Sequence, residues 1–102
     1  MAEVVVLYKT PRDSAAFERY YAATHIPLAK KLPGLLKYQL SQGPIATPGG
    51  PSDIHLIATL TFDSVAAVQK AFLSAEGKAT AADLANFASG GAEIMFFETR
   101  DV

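Results

Sequence analysis

The chain contains no cysteine and no tryptophan. The first absence excludes disulfides, iron–sulfur clusters, thiolate metal sites and a cysteine nucleophile. Charge is scarce as well: nine Lys and Arg stand against ten Asp and Glu, and no segment concentrates basic side chains. The electrostatic footprint of a nucleic-acid partner or an anionic membrane surface is therefore missing. No apolar run approaches the ~20 residues needed to span a bilayer, and no basic region precedes the first apolar run. The expectation is a cytoplasmic protein with no nucleic-acid and no membrane partner. Neither Gly49-Gly50 nor Gly90-Gly91 follows a strand and opens a helix, as a phosphate-cradling loop would. The two histidines, His25 and His55, lack the close spacing of zinc ligands, so no metal and no cofactor is expected.

What is present is apolar: half of the 102 residues, many of them alanines. That suits one domain over residues 1–102, able to build a core yet small enough to gain from oligomerisation. Glu3-Val4-Val5-Val6-Leu7-Tyr8 reads as a buried strand. Asp13 or Ser14 is placed to cap a helix running to about Thr24, with Phe17, Tyr20, Tyr21 and Thr24 at helical spacing. Pro27 disfavours helical backbone at Ile26, so a break or kink is expected beside His25, with a short further turn to Leu32. Pro33-Gly34 is a second break. Residues 35–42 alternate, with Leu36, Tyr38 and Leu40 on one face, as in a half-exposed strand near an edge. A Gly- and Pro-rich loop over 43–53 leads to a third strand, 54–62. Asp63-Ser64 caps a helix carrying Val65, Val68 and Phe72 and ending before Gly77. Thr80-Ala81-Ala82-Asp83 resembles a capping box for a last short helix with Leu84 and Phe87, and a final strand runs from Ala92 to Thr99.

The order is β-α-β-β-α-β with an extra helical piece before the last strand. It fits an α+β, ferredoxin-like fold with a four-stranded antiparallel sheet and both helices on one face. The other sheet face, with Leu36, Tyr38 and Leu40 and one set of residues from each inner strand, is expected to be too apolar to be left to water, and a two-fold homodimer would bury it.

His25 attracts attention first, because its imidazole changes charge near neutral pH and sits where the helix is expected to end. The alternative is a histidine that only caps helix carbonyls. Together, Phe17-x-x-Tyr20-Tyr21-x-x-x-His25-x-Pro27-Leu28, then Pro33-Gly34-Leu35 and Tyr38, then Phe96-Phe97, resemble the EthD-like family of the dimeric α/β-barrel superfamily over nearly the whole chain. The resemblance implies a homodimer with a small-molecule pocket between sheet and helices in each subunit. By similarity to the lactone-isomerising branch, His25, Tyr38 and His55 are the candidate catalytic residues; Tyr21, Leu28, Leu36 and Leu40 are expected to line the substrate pocket. An imidazole base beside a carbonyl, with a phenol or second imidazole donating to the forming enolate, is competent for isomerisation or elimination. The expectation is a cofactor-independent lyase or isomerase acting on a small apolar organic acid, lactone or aromatic catabolic intermediate. The alternative is a non-catalytic or stress-related module that sequesters a hydrophobic metabolite. Tyr38 as an ordinary core or interface tyrosine, and His55 as a solvent-exposed imidazole, are the plainer readings of those two residues.

Overall fold

The computed structural model describes residues 1–102. The elements are β1 (Ala2–Lys9), α1 (Ser14–Tyr20), a π-helical turn (Tyr21–His25), α2 (Ile26–Ala29), β2 (Lys37–Leu40), β3 (Ala46–Thr47), β4 (Gly50–Pro51), β5 (Ile54–Phe62), α3 (Val65–Leu73), α4 (Ala75–Phe87) and β6 (Ala92–Glu98). Strand periodicity builds the frame. In β1 the side chains of Ala2, Val4, Val6 and Tyr8 are buried, and in β5 those of Leu56, Ala58, Leu60 and Phe62. Successive side chains of a strand point to opposite faces, so these two sets form one floor beneath the helices. The two strands lie side by side at the centre of an antiparallel sheet ordered β2-β5-β1-β6. This is the ferredoxin-like α+β arrangement, with all helices on one face. β2 is an edge, as its alternation implies. The 43–53 loop contains a two-stranded ladder of its own, β3 with β4.

No helix of the chain covers the opposite face. It carries Val5 and Leu7 of β1, Ile57 and Thr59 of β5, and Met95 and Phe97 of β6, with Val5 paired to both Thr59 and Met95. Met95 and Phe97 remain almost half exposed.

Two expectations about the helices are corrected. The first helix does not stop at Thr24. Tyr21, His25 and Ile26 all hold right-handed helical backbone, and the Ile26 amide donates to the Tyr21 carbonyl, five residues back. Proline lacks an N–H, and its ring collides with the carbonyl four residues earlier in a regular α-helix. The wider π-helical turn ahead of Pro27 accommodates both defects, so the helix widens where a break was expected. The last helix is likewise not a short piece begun at Thr80. It starts at Ala75, and Ser74 both ends α3 and caps α4 by accepting from the Gly77 amide at 3.0 Å. Thr80 and Asp83 are thus buried mid-helix, and the Thr80 hydroxyl donates to the Glu76 carbonyl at 2.8 Å.

The one-residue junction between α3 and α4 demands glycine at position 77. A Cβ there would lie 2.1 Å from the Ala71 carbonyl oxygen and 2.5 Å from the Phe72 Cα, both backbone atoms. Gly77→Ala is expected to cost about 3 kcal/mol through overpacking, read as a lowered denaturant midpoint at unchanged slope. A cost under about 0.5 kcal/mol would mean that the junction relaxes freely.

Candidate active site

The site is built on aromatic packing. Phe17 and Tyr21, one helical turn apart, stack at 5.7 Å. Tyr8 of β1 meets both edge-on at 5.5 and 5.6 Å, and Phe87 of α4 closes the cluster at 5.3 Å from Phe17. His25 lies one turn beyond Tyr21 and packs on Phe87 at 4.7 Å, so its ring is held between the π-helical turn and α4.

His25 is 4% exposed. Its Nδ1 lies 2.9 Å from Oδ2 of Asp83, which is itself buried. The Asp83 carboxylate also accepts from the Tyr20 hydroxyl at 2.6 Å and the Asn86 amide at 3.0 Å. An ionised carboxylate only accepts, so Nδ1 carries the hydrogen and Nε2 of the neutral ring is left with a free lone pair. Nε2 has no partner within the chain and is not sealed away, because no buried side-chain nitrogen or oxygen is unpartnered.

Burial by itself would raise the Asp83 pKa, but hydrogen bonds from Tyr20, Asn86 and His25, with the histidine charge, outweigh it and hold the carboxyl below its ordinary value. A depressed folded-state pKa contributes stability that is present above the unfolded carboxylate value, about 4, and lost as pH falls through the folded value. Asp83→Asn is therefore expected to destabilise the protein by about 1–3 kcal/mol at neutral pH. The gap should close as the wild-type carboxyl protonates in acid. Denaturant titrations of both proteins between neutral and strongly acidic pH check this, and a pH-independent gap would contradict it.

His25 faces a cavity of about 30 Å3 between sheet and helices. Its floor is Val4, Val6, Ala58 and Leu60, and Tyr8, Tyr21 and Tyr38 bring phenols to it. The Tyr21 and Tyr38 hydroxyls are 2.6 Å apart. Burial is the main reason that Tyr8, Tyr21 and Tyr38 are all raised above the ordinary phenol pKa, so all three stay protonated and able to donate.

Of the residues singled out from the sequence, His25, Tyr38 and Tyr21 meet at this cavity, whereas His55 does not. Register explains why. Tyr8 pairs with Leu56 and Lys9 with Ile54, which leaves His55 as an extra, unpaired residue in β5. Such a bulge re-aims a side chain. The His55 ring stands edge-on to Phe17 at 5.0 Å, with Nε2 2.8 Å from the exposed Glu18 carboxylate, beside the 43–53 loop. Leu28, Leu36 and Leu40 do not line the cavity either. Leu36, Tyr38 and Leu40 lie on the helix side of the sheet and not on the outer face expected for them, because Tyr38 pairs with Leu60 and Leu40 with Ala58. The strand is an edge, so Leu36 and Leu40 are still 54% and 39% exposed. Leu28 is carried away from the cavity because the helix continues through Pro27 and turns Ala29 inward instead.

Asp83 was missed by sequence reasoning. The signal lay in its spacing: with a helix begun at Ser74, Thr80, Asp83 and Phe87 fall on one buried stripe. No group of three or more histidines and carboxylates comes together as metal ligands would, and no helix is long and apolar enough to cross a membrane.

Comparison with known proteins bears on these features. The EthD domain model matches residues 9–91. An uncharacterised 11.0 kDa protein of the thcB–thcC intergenic region of Rhodococcus erythropolis is 36% identical over 102 residues, covering 100% of this chain and 98% of that one. The crystal structure of an ethyl tert-butyl ether degradation (EthD) family protein from Bacillus halodurans superposes with a TM-score of 0.89 at 32% identity, over 98% of this chain and 99% of the other. The hydroxynitrile lyase of Passiflora edulis shares the fold at a TM-score of 0.76 and 15% identity, over 99% of this chain and 94% of the lyase. A match to the family model over most of the chain, with a close relative in both sequence and structure, makes this protein a member of the EthD family.

Proposed function

We propose that the protein is a small-molecule enzyme of lyase or isomerase type in which His25 moves a proton next to a substrate carbonyl. The observation that carries the reading is the buried His25–Asp83 contact of 2.9 Å, which leaves Nε2 without a partner on a ring that lines an apolar cavity. Nε2 takes the proton from the carbon beside the carbonyl, and the electron pair of that C–H bond becomes the enolate double bond. Charge accumulates on the carbonyl oxygen, where the Tyr21–Tyr38 hydroxyl pair has an O–H to donate. The imidazolium formed is stabilised by Asp83. It returns its proton to another carbon in an isomerisation, or to a departing group in an elimination. No electron acceptor is consumed. The same fold hosts a lyase in Passiflora edulis and a cofactor-independent oxygenase in Streptomyces nogalater. It thus accommodates small-molecule chemistry, while the choice of reaction rests on His25 and its partners. Placing His55 outside the cavity leaves His25 and the phenols as the working set.

Proton exchange tests this whichever product the enzyme forms. In deuterated water, proton NMR of a panel of enolisable ketones, aldehydes and lactones should show catalysed exchange at the α-carbon, absent with His25→Ala. Exchange unaffected by the substitution, or no exchange in any compound, would overturn the reading and leave the sequestering module. The reading includes a cytoplasmic homodimer packed through the outer sheet face, supported by the exposed Met95 and Phe97. A monomer mass by sedimentation at micromolar concentration would contradict that assembly.

A further inference from the structure

An apolar groove of about 450 Å3 follows the seam where α3 and α4 meet β6, lined by Gln69, Phe72, Leu73, Ala81, Ile94 and Phe96. Leu73 is 74% exposed, and Ile94 and Phe96 are each 43% exposed. Phe72, Ala81 and Ile94 line this groove and the inner cavity alike. The two spaces are therefore separated by a partition one side chain thick, and Ile94 belongs to an edge strand.

The inner cavity, at about 30 Å3, holds little more than a water molecule. Any organic ligand whose reactive atom reaches His25 must therefore extend past the partition. The polar groups it meets are also limited. Thr80 is committed to the Glu76 carbonyl and Nδ1 of His25 to Asp83. The phenols of Tyr8, Tyr21 and Tyr38 and Nε2 of His25 remain. Neither space is lined by lysine or arginine. A carboxylate drawn in here would have only the His25 imidazolium as a cation, a charge already paired with the Asp83 carboxylate. Burying the second carboxylate beside that pair is costly. A neutral carbonyl oxygen needs only a phenol hydrogen.

We infer that the ligand is a neutral carbonyl compound with an extended apolar body, its head at Tyr21, Tyr38 and His25 and its body lying between Phe72 and Ile94 in the seam groove. This rests on the proposed proton-transfer site and narrows its substrate class: charged organic acids are excluded, and the groove is the mouth of the site.

Calorimetric titration with straight-chain methyl ketones of increasing length, and with fatty carboxylates of matched length, tests it. Ketone affinity should rise about fourfold per added methylene, the value of burying each group. The carboxylates should bind at least ~10-fold more weakly. Ile94→Trp, which fills the partition, should abolish ketone binding while circular dichroism shows the fold intact. Leu73→Lys, at a solvent-facing position, should flatten the length series. A flat series in the wild type, equal binding of carboxylates, ketone binding untouched by Ile94→Trp, or no saturable binding at all would each overturn the inference. The readout is independent of turnover. Ketones that follow the series yet show no α-proton exchange would sink the catalytic reading alone, and exchange without the series would sink this one alone.

Discussion

Replacing His25 by alanine will lower kcat for α-proton transfer by about 10²–10⁴-fold, the range for loss of a positioned general base. KM should change much less, because the cavity walls and the phenol pair remain. The histidine is held from both sides, by Asp83 on its Nδ1 and by Phe87 against its ring. Both contacts fix the orientation of its ring. Asp83→Asn provides the control. An amide at that position donates to Nδ1 where the carboxylate accepted, which drives the hydrogen to Nε2 and removes the basic lone pair from the cavity. It should fall between the wild type and His25→Ala in kcat and shift the pH–rate profile. A merely structural role for Asp83 would lower the yield of folded protein and leave that profile where it was. Steady-state rates on any compound that shows α-exchange decide the matter, and an unchanged kcat in His25→Ala would end the mechanism.

Removing the Phe17 ring should have the largest effect on stability. Phe17 is 2% exposed and touches the rings of Tyr8, Tyr21, His55 and Phe87. Phe17→Ala combines the lost burial of a whole ring with the cavity left among partners that cannot collapse into it, together about 3–5 kcal/mol. Domains of this kind have only about 5–15 kcal/mol in total, so the variant should unfold at much lower denaturant. A loss below about 1 kcal/mol would show that the ring cluster repacks and is not what frames the site.

The sheet was legible because its signals are local. Leu56, Ala58, Leu60 and Phe62 alternate through β5 and end at the Asp63-Ser64 cap, so both ends of that strand follow from the sequence. The edge position of β2 follows from Lys37 and Gln39 on its second face. His25, Tyr38 and Tyr21 were legible as site candidates through the motif around Pro27 and the Pro33-Gly34 turn, and they do share one cavity. Three features depend on tertiary contacts and were not legible. Helical backbone at Ile26, against the local preference before proline, is secured by packing of Tyr21, His25 and Ala29 on the sheet side. Asp83 was hidden because the helix start was placed at Thr80, whereas Ser74 serves two helices at once, which residue preference alone does not announce. His55 depends on one unpaired residue in a ladder, and periodicity cannot report a residue that breaks it.

The π-helical turn makes segment length itself a constrained quantity. A π-turn holds one residue more than the α-turn it replaces, and in an α-helix each residue is worth about 100° of rotation. Deleting any one of Ala22, Ala23 or Thr24 would force the helix into ordinary α geometry and bring the Pro27 ring back against the carbonyl four residues earlier. The π-turn absorbs its extra residue, so the flanks would keep nearly the same phase after the deletion. Phe17, Tyr21, His25 and Ala29 would fall at i, i+4, i+7 and i+11 and still share one face, so the cost of the deletion lies at the proline and not in helical phase. The stretch from Asp13 to Pro33 should therefore tolerate many exchanges of its exposed side chains but not the loss of a residue from the turn ahead of Pro27. The loop over 43–53, which carries no helix, should tolerate gain or loss of residues with little consequence for the cavity.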